Sequence, residues 1–389
     1  PNVSGTVGLT RSDTLVGSSS PSRSSTPGVP QSTGSFGNGG STSLTADATL
    51  RQLIYDGGRT RTQILAAGQG ANAGSNTYRR QLQTLAFTVA QNYFNALQSE
   101  AAVALDQQIV EQNLVQERLV EAQIRAGTVA RADLSQALFP VAVSRVNLIR
   151  AQGAELVADA TFASSLGLNA DTAVRPATGP RVDSTQTLLR AQPLDYSAAV
   201  TRALLLRPDY AASQNTLQQA QYALKAAKLG RFPTLSGNAS ITSGSTFPNG
   251  GGFRAGDGIG ASLNIPIFDQ GITNAQTEQA AATLENAQAL QSSSELSVQL
   301  SVRQALINLV SAQAALVQAQ AELAQAETAV RSSQAQYRAG VTTLPLLLNA
   351  EVSLTQAQTD RLNAIYTLRQ AEQTYLYALG EIDTTTLDV

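Results

Sequence analysis

The sequence contains no cysteine, histidine, methionine or tryptophan. Without cysteine there is no disulfide framework and no thiolate metal site. Without histidine the commonest general base and metal ligand is gone. Charged residues make up 14% and aromatic residues 5% of the 389, and 26 basic against 28 acidic side chains leave a net charge of −2. No basic excess awaits a phosphate backbone, so nucleic acid is excluded as a partner. No uninterrupted run of about 18 apolar residues occurs, and no transmembrane helix is expected. A chain that begins at Pro1 and has no methionine is expected to belong to a longer natural protein.

Ala, Gln, Ser, Thr and Leu dominate instead. Large apolar side chains are too sparse for a thick globular core, and the composition suits slender helices packed closely on alanine. Catalysis has little to stand on. Asp56 and Asp269 are followed by Gly57-Gly58 and Gln270-Gly271, which is turn chemistry that the backbone needs for its own sake. No glycine-rich phosphate loop leads from a strand into a helix, so neither an enzyme nor a cofactor is expected.

The chain repeats itself. "YDGG" at 55–58 matches "FDQG" at 268–271, Gly127 matches Gly340, and Leu166-Gly167 matches Leu379-Gly380, each pair 213 residues apart. Val89/Val302, Gln91/Gln304, Asn95/Asn308, Leu134/Leu347 and Ala137/Ala350 keep the same spacing. Upstream, "PNVSG" at 1–5 matches "PTLSG" at 233–237 at a spacing of 232. The 19-residue difference falls in the Ser/Gly/Pro-rich stretch 11–43, whose shorter counterpart is 242–258.

Beside those loops apolar residues alternate with polar ones: Val3, Gly5, Val7, Leu9; Leu44, Ala46, Ala48, Leu50; Leu235, Gly237, Ala239, Ile241; Ile259, Ala261, Leu263, Ile265, Ile267. Period two predicts four strands, each with one apolar face, in two long-looped hairpins. Each hairpin leads into a long helical stretch, about 72–126 and 272–338. A helix of about 55 residues is about 80 Å long, which implies a coiled coil or a tube. Glycine then turns the chain into returning helices at about 131–166 and 344–379, and a further helix is predicted at 197–229. Val298, Val302, Ala305, Leu309, Ala312 and Leu316 form a narrow seam for another helix. Two readings stay open from pattern alone. The strands suit either a membrane barrel closed by several chains or the edge of a soluble sandwich. The helices suit either a water-filled wall or a coiled-coil surface or spacer protein.

The order of these elements, with "LRPDYAASQNTLQQAQYALKAAKLGRFPTLS" (206–236), "IPIFDQG" (265–271), "QAQYRAGVTTLPLLLNA" (334–350) and "RQAEQTYLYALG" (369–380), resembles the TolC-like outer membrane efflux proteins over essentially the whole chain. The resemblance implies a mainly α protomer with a small β part, built from two strand–strand–long-helix-hairpin repeats. Three such chains would form a twelve-stranded barrel and an α-helical periplasmic tunnel. Repeat 1 would be 1–167, with strands 1–10 and 44–55 and hairpin 72–166. The connector would be 168–196. Repeat 2 would be 197–380, with helix 197–229, strands 233–242 and 259–268 and hairpin 272–379, before a tail at 381–389. The family's helix before the first strand pair is absent from this sequence, so the natural protein is expected to be longer. The implied function is a passive exit duct in the outer membrane of a Gram-negative envelope, serving a tripartite efflux pump or a type I secretion system. Its implied partners are two further copies, a periplasmic adaptor, an inner-membrane transporter reached through the adaptor, and outer-membrane lipid. Adaptor-docking tips would be Ala126-Gly127-Thr128 and Ala339-Gly340-Val341. A periplasmic gate would involve Asp133, Tyr337, Thr342, Leu346 and Asn349. The family's Arg after the second tip is Thr342 here, and its acidic ring falls on Leu346 and Asn349, so this gate is expected to close by narrowness and dewetting.

Overall fold

The computed structural model describes residues 2–13, 40–176, 195–247 and 251–382. The chain runs β1 (Asn2–Asp13), β2 (Gly40–Tyr55), α1 (Arg59–Arg125), α2 (Ala132–Ser165), α3 (Tyr196–Leu206), α4 (Pro208–Lys228), β3 (Thr234–Phe247), β4 (Gly251–Asn264), α5 (Ile272–Arg338) and α6 (Leu344–Leu379). It divides into two compact units, Pro1–Gly68 with Gln218–Glu285 and Gln69–Leu217 with Asn286–Val389. The division does not follow the repeats: each unit takes residues from both.

The first unit holds one antiparallel sheet in the order β1-β2-β3-β4. Both hairpins share one register. Val3 opposes Leu50 and Leu9 opposes Leu44; their counterparts Leu235 and Ile241 oppose Leu263 and Asp257. The register sorts most of the side chains between two faces. One face carries Val3, Val7, Leu9, Leu44, Leu50, Ile241, Ile259 and Leu263. The other carries Ser4, Thr6, Thr45, Asp47, Thr49, Arg51, Asn238, Ser240 and Ser262. On that polar face hydroxyls pair across strands, Ser4 with Thr49 and Ser236 with Ser262, both at 2.8 Å. Each hairpin exits into its long helix through the same cap. Asp56 accepts from the backbone N–H of Gly58 (3.0 Å) and Thr60 (2.6 Å), and Asp269 from Gly271 (3.1 Å) and Thr273 (2.8 Å). A carboxylate at this place satisfies N–H groups that the first turn leaves without partners.

The second unit is helical. Its core runs along α5, where Val298, Val302, Ala305, Leu309, Ala312, Leu316, Ala319, Ala326 and Val330 are buried. Their spacing alternates four and three residues, with Leu323 at the one remaining position, which is the heptad that keeps a seam facing its partner. All six residues of the expected seam are in it. They pack with Ala199 and Ala203 of α3, Tyr210 of α4, and Leu368, Ala371, Tyr375 and Ala378 of α6. By length and composition alone one helix among the described residues, α5, would pass for a membrane span, as a core helix can. One 18-residue window of α5 reaches a mean hydropathy of 1.3, a third of it buried.

Several boundaries differ from the expected ones. The strands extend further toward their loops, because ladder hydrogen bonds need backbone and not alternating side chains. The first long helix starts at Arg59, not near 72, since Asp56 caps it and Gly68, Gly70 and Gly74 do not stop it. The helix expected at 197–229 is two helices. Pro208 cannot donate to the preceding turn, so α3 ends at Leu206 and α4 restarts with Pro208 in its first position. β4 stops at Asn264 rather than 268. Most of the loop 11–43, connector residues 177–194 and tail residues 383–389 lie outside the described residues.

Candidate functional site

The repeat is written most plainly in the backbone. The described residues with positive φ are Gly57, Gly58, Gly127 and Gly167, and 213 positions on, Gln270, Gly271, Gly340 and Gly380. At Gly127 (φ 73°) and Gly340 (φ 70°) the chain closes the same C-terminal helix motif. Thr128 N–H donates to the carbonyl of Gln123 at 3.0 Å, and Val341 N–H to that of Gln336 at 2.9 Å. Gly127 N–H donates to the Ile124 carbonyl and Gly340 N–H to that of Tyr337, both at 3.0 Å. This double bond across a left-handed residue is what ends a helix sharply and lets another start within a few residues. Ala126, Gly127, Thr128, Ala339, Gly340 and Val341 are all exposed, and a Cβ built on either glycine meets nothing within 4 Å.

Below the turns the two hairpins pack together. Val120, Ala137 and Leu344 are buried against Ile124, Tyr337 and Leu348, which brings α1, α2, α5 and α6 to one small apolar cluster. Of the five expected gate residues, the structure draws two near each other. The Tyr337 hydroxyl is held above its ordinary acidity range by burial and then by the negative charge of Asp133. Its hydrogen bond, however, goes to Gln123 Oε1 on α1, at 2.9 Å. Gln123 was not singled out by sequence, although it sits four residues before the tip glycine, as Gln336 does in the second repeat. Asp133 lies in the first turn of α2, where the helix dipole favours an acid. Thr342 is half-buried, and Leu346 and Asn349 are exposed on α6, Leu346 to 52%.

A second feature escaped the sequence reading. A cavity of 230 Å³ opens between α1, α2 and α6, lined by Ile109, Asn113, Phe139, Pro140, Leu348 and Glu351 among others. Glu351 accepts a bond from the Gln334 side chain, yet burial outweighs this and lifts its carboxyl to about 7. A lone acid within "LPLLLNAEVSL" was the available signal.

The α3–α4 break is held by a buried arginine. Arg207 grips Asp209 with two bonds (Nε to Oδ1, 3.0 Å; Nη2 to Oδ2, 2.6 Å) and donates to Ser301 Oγ at 2.6 Å and the Ala378 carbonyl at 3.3 Å. Burial pushes the Asp209 carboxyl up, but the bonds and charge of Arg207, helped by Arg80, leave it below the usual carboxylate range. Arg80 also lies 3.8 Å over the Tyr377 ring, which stacks on Phe87. Gly380 (φ 80°) gives Arg207 its room: a Cβ there would come within 3.1–3.3 Å of Arg207 and the Leu206 carbonyl carbon.

Comparison with known proteins places this arrangement. The family model described as outer membrane efflux protein matches residues 1–168 and 199–381. The outer membrane efflux protein BepC of Brucella suis is 26% identical over 341 residues, 85% of this chain and 72% of its own length. The outer membrane protein TolC of Escherichia coli is 23% identical over 360 residues, covering 88% of this chain and 70% of its own. Among solved structures, CusC superimposes with a TM-score of 0.80 at 19% identity, covering 97% of this chain and 83% of that one.

Proposed function

The chain belongs to the outer membrane efflux protein family, whose place is the outer membrane, and we propose that it is one third of a passive exit duct. The observation that carries this is the sheet. Its apolar face is open to the surroundings, with Val3 at 72%, Val7 at 78% and Ile259 at 91% exposure, while its opposite face is lined with hydroxyls and amides. Among the described residues the outer edges of β1 and β4 have no pairing strand. Four strands cannot enclose a lumen filled by their own side chains, whereas three copies would supply twelve, with lipid on the apolar side and water on the other. The coiled-coil spacer reading explains the helices but gives the amphipathic sheet no use.

The helical hairpins would form the periplasmic tunnel, and the glycine turns its tips. Two turns per chain give six around a three-chain mouth. Their exposed, sterically open glycines suit close approach by a helical hairpin of a periplasmic adaptor, which would link the duct to an inner-membrane transporter. The duct itself performs no catalysis, and the transporter supplies the energy. Leu346, exposed on α6 just beyond the second tip, would narrow the mouth with an apolar ring and so gate by dewetting.

The test is assembly and conductance of the natural full-length protein in detergent. A three-chain mass, a detergent belt at one end of a tube in negative stain, and ion conductance in a planar bilayer are expected. A monomeric rod that stays in solution without detergent overturns the duct.

A further inference from the structure

We propose that the cavity between α1, α2 and α6 is a binding site for a small amphipathic cation, an ammonium group carried on a body the size of one aromatic ring, with Glu351 as its anchor. The site lies within one chain and goes beyond the duct reading.

The shape starts from a proline. Pro140 stands inside α2. It has no N–H for the Gln136 carbonyl, and its ring crowds that turn, so the helix lacks a rung there. Asn113 of α1 meets this point, donating from Nδ2 to the Pro140 carbonyl at 3.3 Å. The floor of the cavity is apolar and closed: Ile109 is 6% exposed and Leu348 half-buried. The rim is open, with Phe139 at 70% and Val352 at 62% exposure. A cavity of about 150 Å³ accepts one benzene. The 230 Å³ here has room for a ring and a short chain.

The charge selects the occupant. Glu351 is the single charged residue of the lining, and among the described residues it belongs to no ion pair. The fold does not call for an acid there. Glu351 lies beyond the first turn of α6, out of reach of a capping role. At the spacing of 213 its counterpart is Leu138. The other polar groups of the lining present acceptors. Asn113 Nδ2 is turned to Pro140 and Gln356 Nε2 to Asp360, which leaves both amide oxygens without a bond among the described residues. The Ser144 hydroxyl donates to the Val141 carbonyl at 3.1 Å. Asp106, three residues before Ile109 and on the same face of α1, adds negative charge. Acceptors beside a carboxylate repel an anion and reward a donor-rich cation. A neutral apolar ligand would fill the volume and leave the acid as costly to ionise as before. Burial lifts Glu351 to about 7, and a cation seated beside it removes that cost.

The probe is 4-fluorophenethylammonium, titrated against the natural full-length protein in non-ionic detergent at pH 8.5 and read by fluorine NMR. Saturable binding is expected, and about tenfold weaker binding to Glu351→Gln, which keeps the side chain's shape and removes its charge. The neutral 4-fluorophenethyl alcohol should bind both proteins alike. Methylammonium, charged but without a ring, should fail to displace the probe. Val352→Phe fills the mouth of the cavity from α6 and leaves Glu351 in place, and Asn147→Phe does so from α2; each should abolish binding, with circular dichroism reporting that the variants are folded. Equal affinity of wild type and Glu351→Gln for the ammonium overturns the anchor and with it the proposal. Displacement by methylammonium overturns the amphipathic class. Binding that survives both filling variants belongs to the micelle or to another surface and overturns the site. Wild-type protein that binds no probe overturns it as well, the cavity then being closed in the assembled protein.

Discussion

Replacing Glu351 with glutamine isolates the energetic consequence of placing one acid beside an apolar cavity. Among the residues lining that cavity no other is charged, so nothing there offsets the cost of ionisation, and the Gln334 bond is too little to hold the carboxyl down. Its value of about 7 lies above the unfolded value of 4.5. Between these two the folded chain binds more protons than the unfolded chain, so stability falls as pH rises from 4.5 and levels off above about 7. A shift of this size would correspond to about 3 kcal/mol for a fully enclosed group. Glu351 is only half-buried, and solvent screening brings the figure to about 1–2 kcal/mol per chain. Glutamine resembles the protonated form. Glu351→Gln should therefore match wild type at pH 5 and exceed it at pH 8.5 by about 1–2 kcal/mol, or about 2 °C in melting midpoint for a chain of this length. Far-UV circular dichroism melts of the detergent-solubilised protein at half-unit pH steps would trace the difference. A gap that is constant with pH, or a variant that is the less stable one at pH 8.5, refutes the reasoning.

The tip glycines give a separation of steric from functional loss. Gly127→Val and Gly340→Val should each cost about 1–2 kcal/mol through the left-handed backbone alone, leave the three-chain mass unchanged because their Cβ positions are open, and abolish export by blocking the adaptor. Full export by both variants would count against docking at the tips. At the α3–α4 break, Arg207→Ala leaves the half-buried Asp209 with only the more distant Arg80 and, after solvent screening, should cost about 1–2 kcal/mol, read as loss of assembled protein from the outer membrane. Arg207→Lys should fall between, because one ammonium cannot make the paired bonds to Asp209. Leu346→Asp should raise conductance and cation selectivity in planar bilayers if an apolar ring closes the mouth. Unchanged conductance would place the constriction elsewhere.

The parts of this molecule that sequence disclosed are those set by single residues under strict local demands. A left-handed turn needs glycine or something close to it, so the markers at 127, 167, 340 and 380 stood out and coincide with positive φ. Alternation declared the sheet faces, because a side-chain period of two leaves no other arrangement. The α5 seam was legible for a related reason: one neighbour line demands one heptad stripe. In α1, by contrast, the buried residues Ala96, Leu97, Val103, Ile109, Gln116 and Val120 follow no single stripe, which is the pattern of a helix that turns different sides to different neighbours along its length. The break at Arg207 was hidden because apolar periodicity continues across it. Tyr337 was placed near Asp133, but its acceptor, Gln123, lies 214 residues away, and only packing could bring the two together. Glu351 was missed because nothing in its local sequence distinguishes an acid facing solvent from one facing a cavity.

The two tips also show where symmetry stops. Their backbones agree to a few degrees in φ and bond by bond, so a partner that reads only turn shape meets six equivalent sites in a three-chain duct. Their side chains do not agree. Asp133 corresponds to Leu346, Ile124 to Tyr337, Arg131 to Leu344 and Gln136 to Asn349 at the common spacing of 213. Four of the five expected gate residues lie on the second hairpin, and Asp133, the fifth, faces Tyr337 electrostatically. Shape is therefore duplicated and chemistry divided: the first hairpin brings Asp133, the second the Tyr337 hydroxyl and the exposed Leu346. In the proposed three-chain duct, docking could use all six tips, whereas a gate built on these side chains would have threefold symmetry.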